Sequence, residues 1–274
     1  MEFIGKRIYE AIMSGVSEHE DRKRNNEYSL TSDVSIQFAG QAGFIISSTH
    51  GMSLGIDLYL SDCVEVLEGR MGYKRLVPKV IRAEELNLEF LVATHSHYDH
   101  FDVDSIPVMM KNGRTRLFAS YECEKLVQER GIDPARVEYV RPGDERKCGD
   151  FVLRFVNCDH GAGAPDAVGI IVETGGKRIY EAGDTCLRLD RVEEYLQFGE
   201  IDVLIAPING AYGNMNETEC ARFSGALQPK LTIPCHYGMF AAHGGNPGIF
   251  LQTTAESNSG NKVLLMTPGE RIEI

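Results

Sequence analysis

Short alternating runs of apolar and polar residues dominate the chain. Val34 to Phe38 alternates, and Gly43 to Ser48 and Leu54 to Leu60 follow as β-like runs. Gly40, Gly43, Gly51 and Gly55 punctuate them, as the turns of a meander would. Phe90 to Thr94 predicts a compact strand, followed by a helix over Val103 to Lys111, a strand at Arg116 to Ala119 and a helix over Tyr121 to Arg130. The second half repeats the style. Phe151 to Asn157, Ala167 to Glu173, Arg178 to Glu181, Asp202 to Ala206 and Leu231 to Pro234 read as strands, with a last strand at Lys262 to Met266. Asp190 to Gln197, Glu217 to Leu227 and Pro247 to Glu256 read as helices. Strands open each half and helices alternate later, which predicts sheets covered by helices in an α/β layered architecture. Ahead of this pattern, Met1 to Gly15 reads as an amphipathic helix with Phe3, Ile4, Ile8, Ala11 and Ile12 on one face. Ser17 to Asn26 reads as a charged linker. Nothing separates the halves, so the reading is one domain over residues 1–274, with residues 1–30 as its N-terminal helix and linker.

The chemistry concentrates in Thr94-His95-Ser96-His97-Tyr98-Asp99-His100, which holds three of the chain's 8 His and an Asp. Neutral imidazole and carboxylate are ligands for Zn, Mn or Fe, without the thiolates of a closed structural zinc site. Alternate residues of an extended segment share a face, so His95 and His97 can reach one ion. The chain then turns, and Asp99 and His100 can face a second. His160, Asp184 and His236 each directly follow a predicted strand, where α/β folds gather functional side chains. Taken singly, each is an ordinary loop residue. In this order after this motif, they read as the remaining ligands.

The series His95-x-His97-x-Asp99-His100, His160, Asp184, His236 resembles the metal-binding pattern of the metallo-β-lactamase superfamily. The resemblance implies a four-layer αββα sandwich with a two-metal site at the edge of its sheets. It implies His95, His97 and His160 on one ion, Asp99, His100 and His236 on the other, Asp184 bridging, and Asp57 supporting the site from behind. Gln41-Ala42-Gly43-Phe44, Pro207-Ile208-Asn209-Gly210, Gly213-Asn214-Met215-Asn216 and Pro234-Cys235-His236-Tyr237-Gly238-Met239-Phe240 are similar to the L-ascorbate-6-phosphate lactonase branch. That branch implies hydrolysis of a phosphorylated sugar-acid lactone with two divalent ions, Zn or Mn, with Fe also compatible. The nucleophile is then a metal-bound hydroxide, oriented by Asp99 as the catalytic residue. Asn209, Tyr212, Asn214, Asn216, His243 and Asn246 are candidate substrate contacts. The alternative is a phosphodiesterase acting on a small phosphodiester or cyclic nucleotide.

Composition narrows the partners. Lys plus Arg is 28 and Asp plus Glu is 40, a net charge of −12 that disfavours nucleic-acid backbones and leaves a small anionic substrate drawn to the metals. No apolar run reaches the roughly 20 residues of a membrane span. The 7 Cys are odd in number and scattered, which argues against a disulfide framework and for a cytoplasmic protein. The N-terminal segment is a candidate homo-oligomer interface.

Overall fold

A computed structural model describes residues 33–69, 71–257 and 260–274. The N-terminal helix and charged linker expected over residues 1–30 lie outside the described residues.

Among the described residues thirteen strands form two sheets. The first contains β1 (Ser35–Gly40), β2 (Gly43–Ser47), β3 (Ser53–Ile56), β4 (Phe90–Ala93), β5 (Arg116–Ser120), β6 (Val137–Val140) and the last strand, β13 (Arg271–Glu273). Its order is β13-β1-β2-β3-β4-β5-β6. The second contains β7 (Glu145–Cys148), β8 (Phe151–Asn157), β9 (Val168–Thr174), β10 (Lys177–Glu181), β11 (Val203–Pro207) and β12 (Leu231–Cys235), in the order β12-β11-β10-β9-β8-β7.

Alternation within strands builds the layers, because successive side chains point to opposite faces. In β8, Phe151, Leu153 and Phe155 enter the core between the sheets, while Val152 and Arg154 between them are only partly buried. Strands covered on both faces read as continuous apolar runs. In β4, Phe90 and Val92 join the inter-sheet core, and Leu91 and Ala93 pack on the other side with Phe101, Ile106 and Met109. In β11, Val203 and Ile205 face between the sheets, and Leu204 and Ala206 pack outward with Tyr195, Phe223 and Phe250. The first outer layer carries helices α1 (Cys63–Glu68), α2 (Ser105–Met109) and α3 (Glu124–Glu129). The second carries α4 (Val192–Leu196), α5 (Glu217–Leu227) and α6 (Pro247–Glu256). This is the αββα order expected from the sequence.

Local chemistry sets the boundaries. Asn216 caps α5 by accepting from the Glu219 N–H, and the Glu219 carboxylate accepts from the Asn216 N–H in return. Asn246 caps α6, with Pro247 at its first position. The expected strand at Lys262 to Met266 is absent; only an isolated bridge, Thr232 to Val263, forms there. The chain instead pairs β13 with β1, Ser35 opposite Glu273. The run from Leu54 stops at Ile56, because Asp57 takes a left-handed φ of 48°. The sequence reading did not anticipate β6, β7 or α1, which are short and half polar.

After the His95 to His100 motif the chain is held by Asp102, a fully buried carboxylate. Its oxygens accept from the N–H groups of Leu60, Ser61, Asp104 and Ser105, at 2.8 to 3.0 Å, and from the Ser61 hydroxyl at 2.7 Å. Replacing Asp102 with Ala strands these donors. The expected loss is about 3 kcal/mol or more of folding stability, read from urea unfolding midpoints; an unchanged midpoint would show that other groups or water take over.

Candidate metal centre

Antiparallel pairing of β8, β9 and β10, followed by parallel pairing of β10, β11 and β12, runs β8, β10, β11 and β12 in one direction. Their C-terminal ends therefore share one edge. His160 follows β8, Asp184 follows β10 and His236 follows β12. The loop after β4 brings His95, His97, Asp99 and His100 to meet them across the sheets, where the Val168 N–H donates to the Thr94 carbonyl at 3.1 Å. The fold thus brings all seven expected ligands together. Ahead of Asp184 stands Gly183, with φ +65°; a side chain there would press on the Val168 carbonyl at 3.0 Å and on Cys158 Sγ at 3.1 Å.

Two clusters share the centre. His95 Nε2 lies 3.0 Å from His97 Nδ1, and His160 Nε2 lies 3.2 Å from the same atom. On the other side, His100 Nε2 is 3.3 Å from His236 Nε2 and 3.4 Å from Asp184 Oδ1. His236 Nε2 is 3.2 Å from Asp184 Oδ2 and 3.3 Å from Asp99 Oδ2. Asp184 stands between the clusters, with His160 Nε2 at 3.7 Å from Oδ2.

The electrostatics differ between the two. Burial pushes His95 and His97 below the ordinary imidazole value and His160 down to about 4, so these rings are neutral. Burial acts the same way on His100 and His236, but carboxylates led by Asp184 outweigh it. They raise His100 well above its ordinary value and His236 to about 9. Burial likewise opposes charge on Asp99 and Asp184. His100 dominates the reversal at Asp99 and His236 at Asp184, and both carboxyls are held well below their ordinary range.

This donor set fits divalent ions. Three neutral imidazoles converge on one point with facing nitrogens, and each can spare a lone pair. Asp184 Oδ1 is buried with no hydrogen-bond partner although His100 is close. Both are the marks of groups shaped to hold a cation. His95, His97 and His160 could hold one ion, and His95, His100 and Asp184 come together about a second position. The thiols stay outside. Burial raises the Cys158 and Cys235 thiols, and Cys158 donates to the Asp184 carbonyl at 3.0 Å.

Asp57 sits behind His100. Its Oδ1 accepts from the Thr94 N–H at 2.8 Å, and its Oδ2 from the Thr94 hydroxyl and from His100 Nδ1, both at 2.6 Å. Nδ1–H is thereby committed, and the Nε2 lone pair is left for the centre. Deeper still, Glu181 is fully buried, accepts from the Gly183 N–H and leaves Oε2 without a partner. Burial, reinforced by Asp57, raises its carboxyl well above 4.5, so it stays protonated.

A cavity of about 200 Å³ opens over the centre. His97, Asp99, His160, Asp184 and His236 reach it from the metal side. Val64, Glu68, Tyr73, Tyr98, Tyr212, Phe240 and His243 form its walls. On its rim the Tyr73 hydroxyl donates to that of Tyr212 at 2.7 Å. Of the six expected substrate contacts, Tyr212 and His243 line this cavity. Asn216 and Asn246 are helix caps, and Asn209 and Asn214 are buried in the loop between β11 and α5, outside the cavity lining. Arg188, four residues after Asp184, is paired with Asp159 at 2.6 Å and with Asp190 at 2.6 Å.

The model of a beta-lactamase superfamily domain matches residues 59–237, which span the motif and every later ligand candidate. The chain belongs to the metallo-β-lactamase superfamily. It is 30% identical over 194 residues to a UPF0173 metal-dependent hydrolase of Symbiobacterium thermophilum, covering 69% of this chain and 84% of that one. It is 31% identical over 195 residues to another from Sulfurisphaera tokodaii, covering 69% and 82%. Among solved structures it resembles Igni18, a metallo hydrolase from Ignicoccus hospitalis, at TM-score 0.69 and 21% identity over 89% of this chain and 99% of that one. It also resembles an isothiocyanate hydrolase from Delia radicum gut bacteria, at TM-score 0.70 and 18% identity over 88% and 98%. The chain is a metal-dependent hydrolase of this superfamily.

The ligand pattern in the sequence does not single out Gln41, nor the wall residues Val64, Glu68, Tyr73, Tyr98 and Phe240. A signal for Gln41 existed: a Gln between Gly40 and Gly43, in a tight turn where Asn, Asp or Gly is the usual choice.

Two measurements probe this arrangement. Asp57→Ala frees the His100 ring, and zinc affinity, read by competition with a chromophoric chelator, should fall about 10–100-fold. Wild-type affinity would mean that His100 is oriented without it. For Glu181, the folded carboxyl is raised above the unfolded one, so the folded state holds the proton longer and stability falls as pH climbs from the ordinary value. Gln removes that slope. In chelator-stripped protein, Glu181→Gln should melt higher than wild type, by a margin that widens from pH 5 to pH 8; a constant difference would show that Glu181 does not titrate out of register.

Proposed function

We propose that this enzyme is a two-metal hydrolase that opens the ring ester of a sugar-acid lactone. The observation that carries the reading is the pair of clusters sharing Asp184 beneath a small, aromatic-walled cavity. His95, His97 and His160 would hold one ion, and Asp99, His100 and His236 the other, with Asp184 between them. When bound, such ions polarise a carbonyl oxygen and make water acidic near neutral pH.

The chain's own residues supply the rest. Tyr98, Tyr212 and Phe240 offer flat apolar faces to a ring of lactone size and keep bulk water from it. Asp99 has Oδ2 fixed by the Gln41 amide at 2.8 Å, which leaves Oδ1 to accept the proton of the attacking water and return it to the alkoxide as the ring opens. Asp99 is thus the catalytic residue of this reading. His243 lines the cavity and is neutral, its pKa lowered to about 4 by burial and then by His236. It can hydrogen-bond the substrate without adding charge.

The phosphorylated substrate comes from resemblance around Pro207 to Gly210 and Pro234 to Phe240. Among the described residues the cavity lining has neither Lys nor Arg, so a phosphate would rest on the ions themselves.

A panel of sugar lactones with and without a phosphate, aryl phosphodiesters and β-lactams tests the reading. Lactone turnover that disappears on chelation and returns with Zn or Mn is expected. Asp99→Asn should lower kcat about 100-fold or more. Turnover confined to phosphodiesters would replace the lactone with the phosphodiesterase alternative.

A further inference from the structure

The turn between β1 and β2 places a carboxamide at the centre of a third group of ligand-like side chains. Asp99, His236 and His243 offer atoms close enough together to hold an ion. The Gln41 side-chain nitrogen already occupies the space among them. It lies 2.8 Å from Asp99 Oδ2, 3.1 Å from His236 Nε2 and 3.2 Å from His243 Nδ1. Chemistry fixes which end of the amide this is. An ionised carboxylate only accepts hydrogen bonds, so the group facing Asp99 is the NH₂. Its two hydrogens are enough for Asp99 and for His243.

The backbone shows that this side chain is kept against a local preference. Gln41 has a φ of 57°, a region where Gly or Asn is easier, and it is almost wholly buried. Its carbonyl accepts from the His236 N–H at 2.8 Å, and His236 is itself left-handed at φ 61°. Two strained residues from different sheets thus clasp each other beside the site. Asn would suit the turn but is one methylene shorter and would not span to both partners.

We propose that Gln41 is a positioning residue: its amide donates to Asp99 and to His243 Nδ1, and so fixes His243 in the tautomer that presents Nε2–H to the cavity. A ring whose Nδ1 accepts must carry its proton on Nε2. His243 then serves as a fixed neutral donor for an oxygen of the substrate, and the Asp99–His236–His243 group needs no ion. The substrate contact rests on the lactone reading; the tautomer does not.

The test is long-range ¹H–¹⁵N correlation of histidine rings in the zinc-loaded full chain. The His243 signals are assigned by their loss in His243→Ala. The wild type should show His243 protonated at Nε2 with a bare Nδ1. Gln41→Met keeps the volume and removes the donor, and it should give a mixture of tautomers. Gln41→Gly relieves the backbone and also removes the donor. It should give the same mixture in a protein with unchanged zinc content, so a folding defect in the first variant cannot mask the result. With whichever substrate the panel identifies, both variants should lose about tenfold or more in kcat. Three results would overturn the proposal: an Nδ1-protonated His243 in the wild type, a ring shift showing zinc on His243, or an Nε2–H tautomer that persists in both variants. None of these depends on the substrate, so failure of the lactone reading remains distinguishable.

Discussion

Asp57 joins what the rest of the site needs to be joined. It ends β3 in a left-handed turn and receives both the N–H and the hydroxyl of Thr94, the last residue before the motif. With its second oxygen it also takes the His100 ring. One buried carboxylate therefore fixes the position at which the β4 strand becomes a loop and the direction in which the loop's last imidazole points. His95 and His97 inherit their places from the same anchor, since they lie between its two contacts. A side chain free to rotate here would leave a cluster of histidines with no defined centre.

Around that anchor the molecule gathers more buried titratable groups than hydrogen bonding among themselves can satisfy. Neutral imidazoles face one another nitrogen to nitrogen, a carboxylate oxygen has no donor, and an acid beneath them keeps its proton. Such an arrangement is costly in a low-dielectric interior unless a charge of the right sign completes it. The surrounding layers make the arrangement possible. Strands buried on both faces hold the loop ends rigidly, and Asp102 and the helix caps satisfy the backbone that the loops expose.

Most of the fold and the metal candidates were legible because their causes are local. Apolar runs such as Asp202 to Ala206 can only be interior strands, the N-caps at Asn216 and Asn246 announce their helices, and ligands seven residues apart or less show their spacing directly. What was missed depends on tertiary context. Arg271 to Glu273 is polar and becomes a strand only because β1 has an open edge, while Lys262 to Met266 has the right composition but finds only a single bridge. Asn216 and Asn246 stand near the motifs but spend their side-chain oxygens capping helices. Gln41 and Tyr73 lie far in sequence from the residues they serve.

The centre is also assembled from the two ends of the chain's contact order. His95 and His236 arrive from opposite sheets, and the Gln41 carbonyl meets the His236 N–H across 195 positions of sequence. A partly folded intermediate with only one sheet in place presents either the four donors after β4 or the three after β8, β10 and β12, never the full set. Tight ion capture is then a property of the finished fold alone, and free-metal activity becomes a thermodynamic lever on folding itself. In a cell short of metal, the side chains gathered here would set how much of the chain survives as native protein.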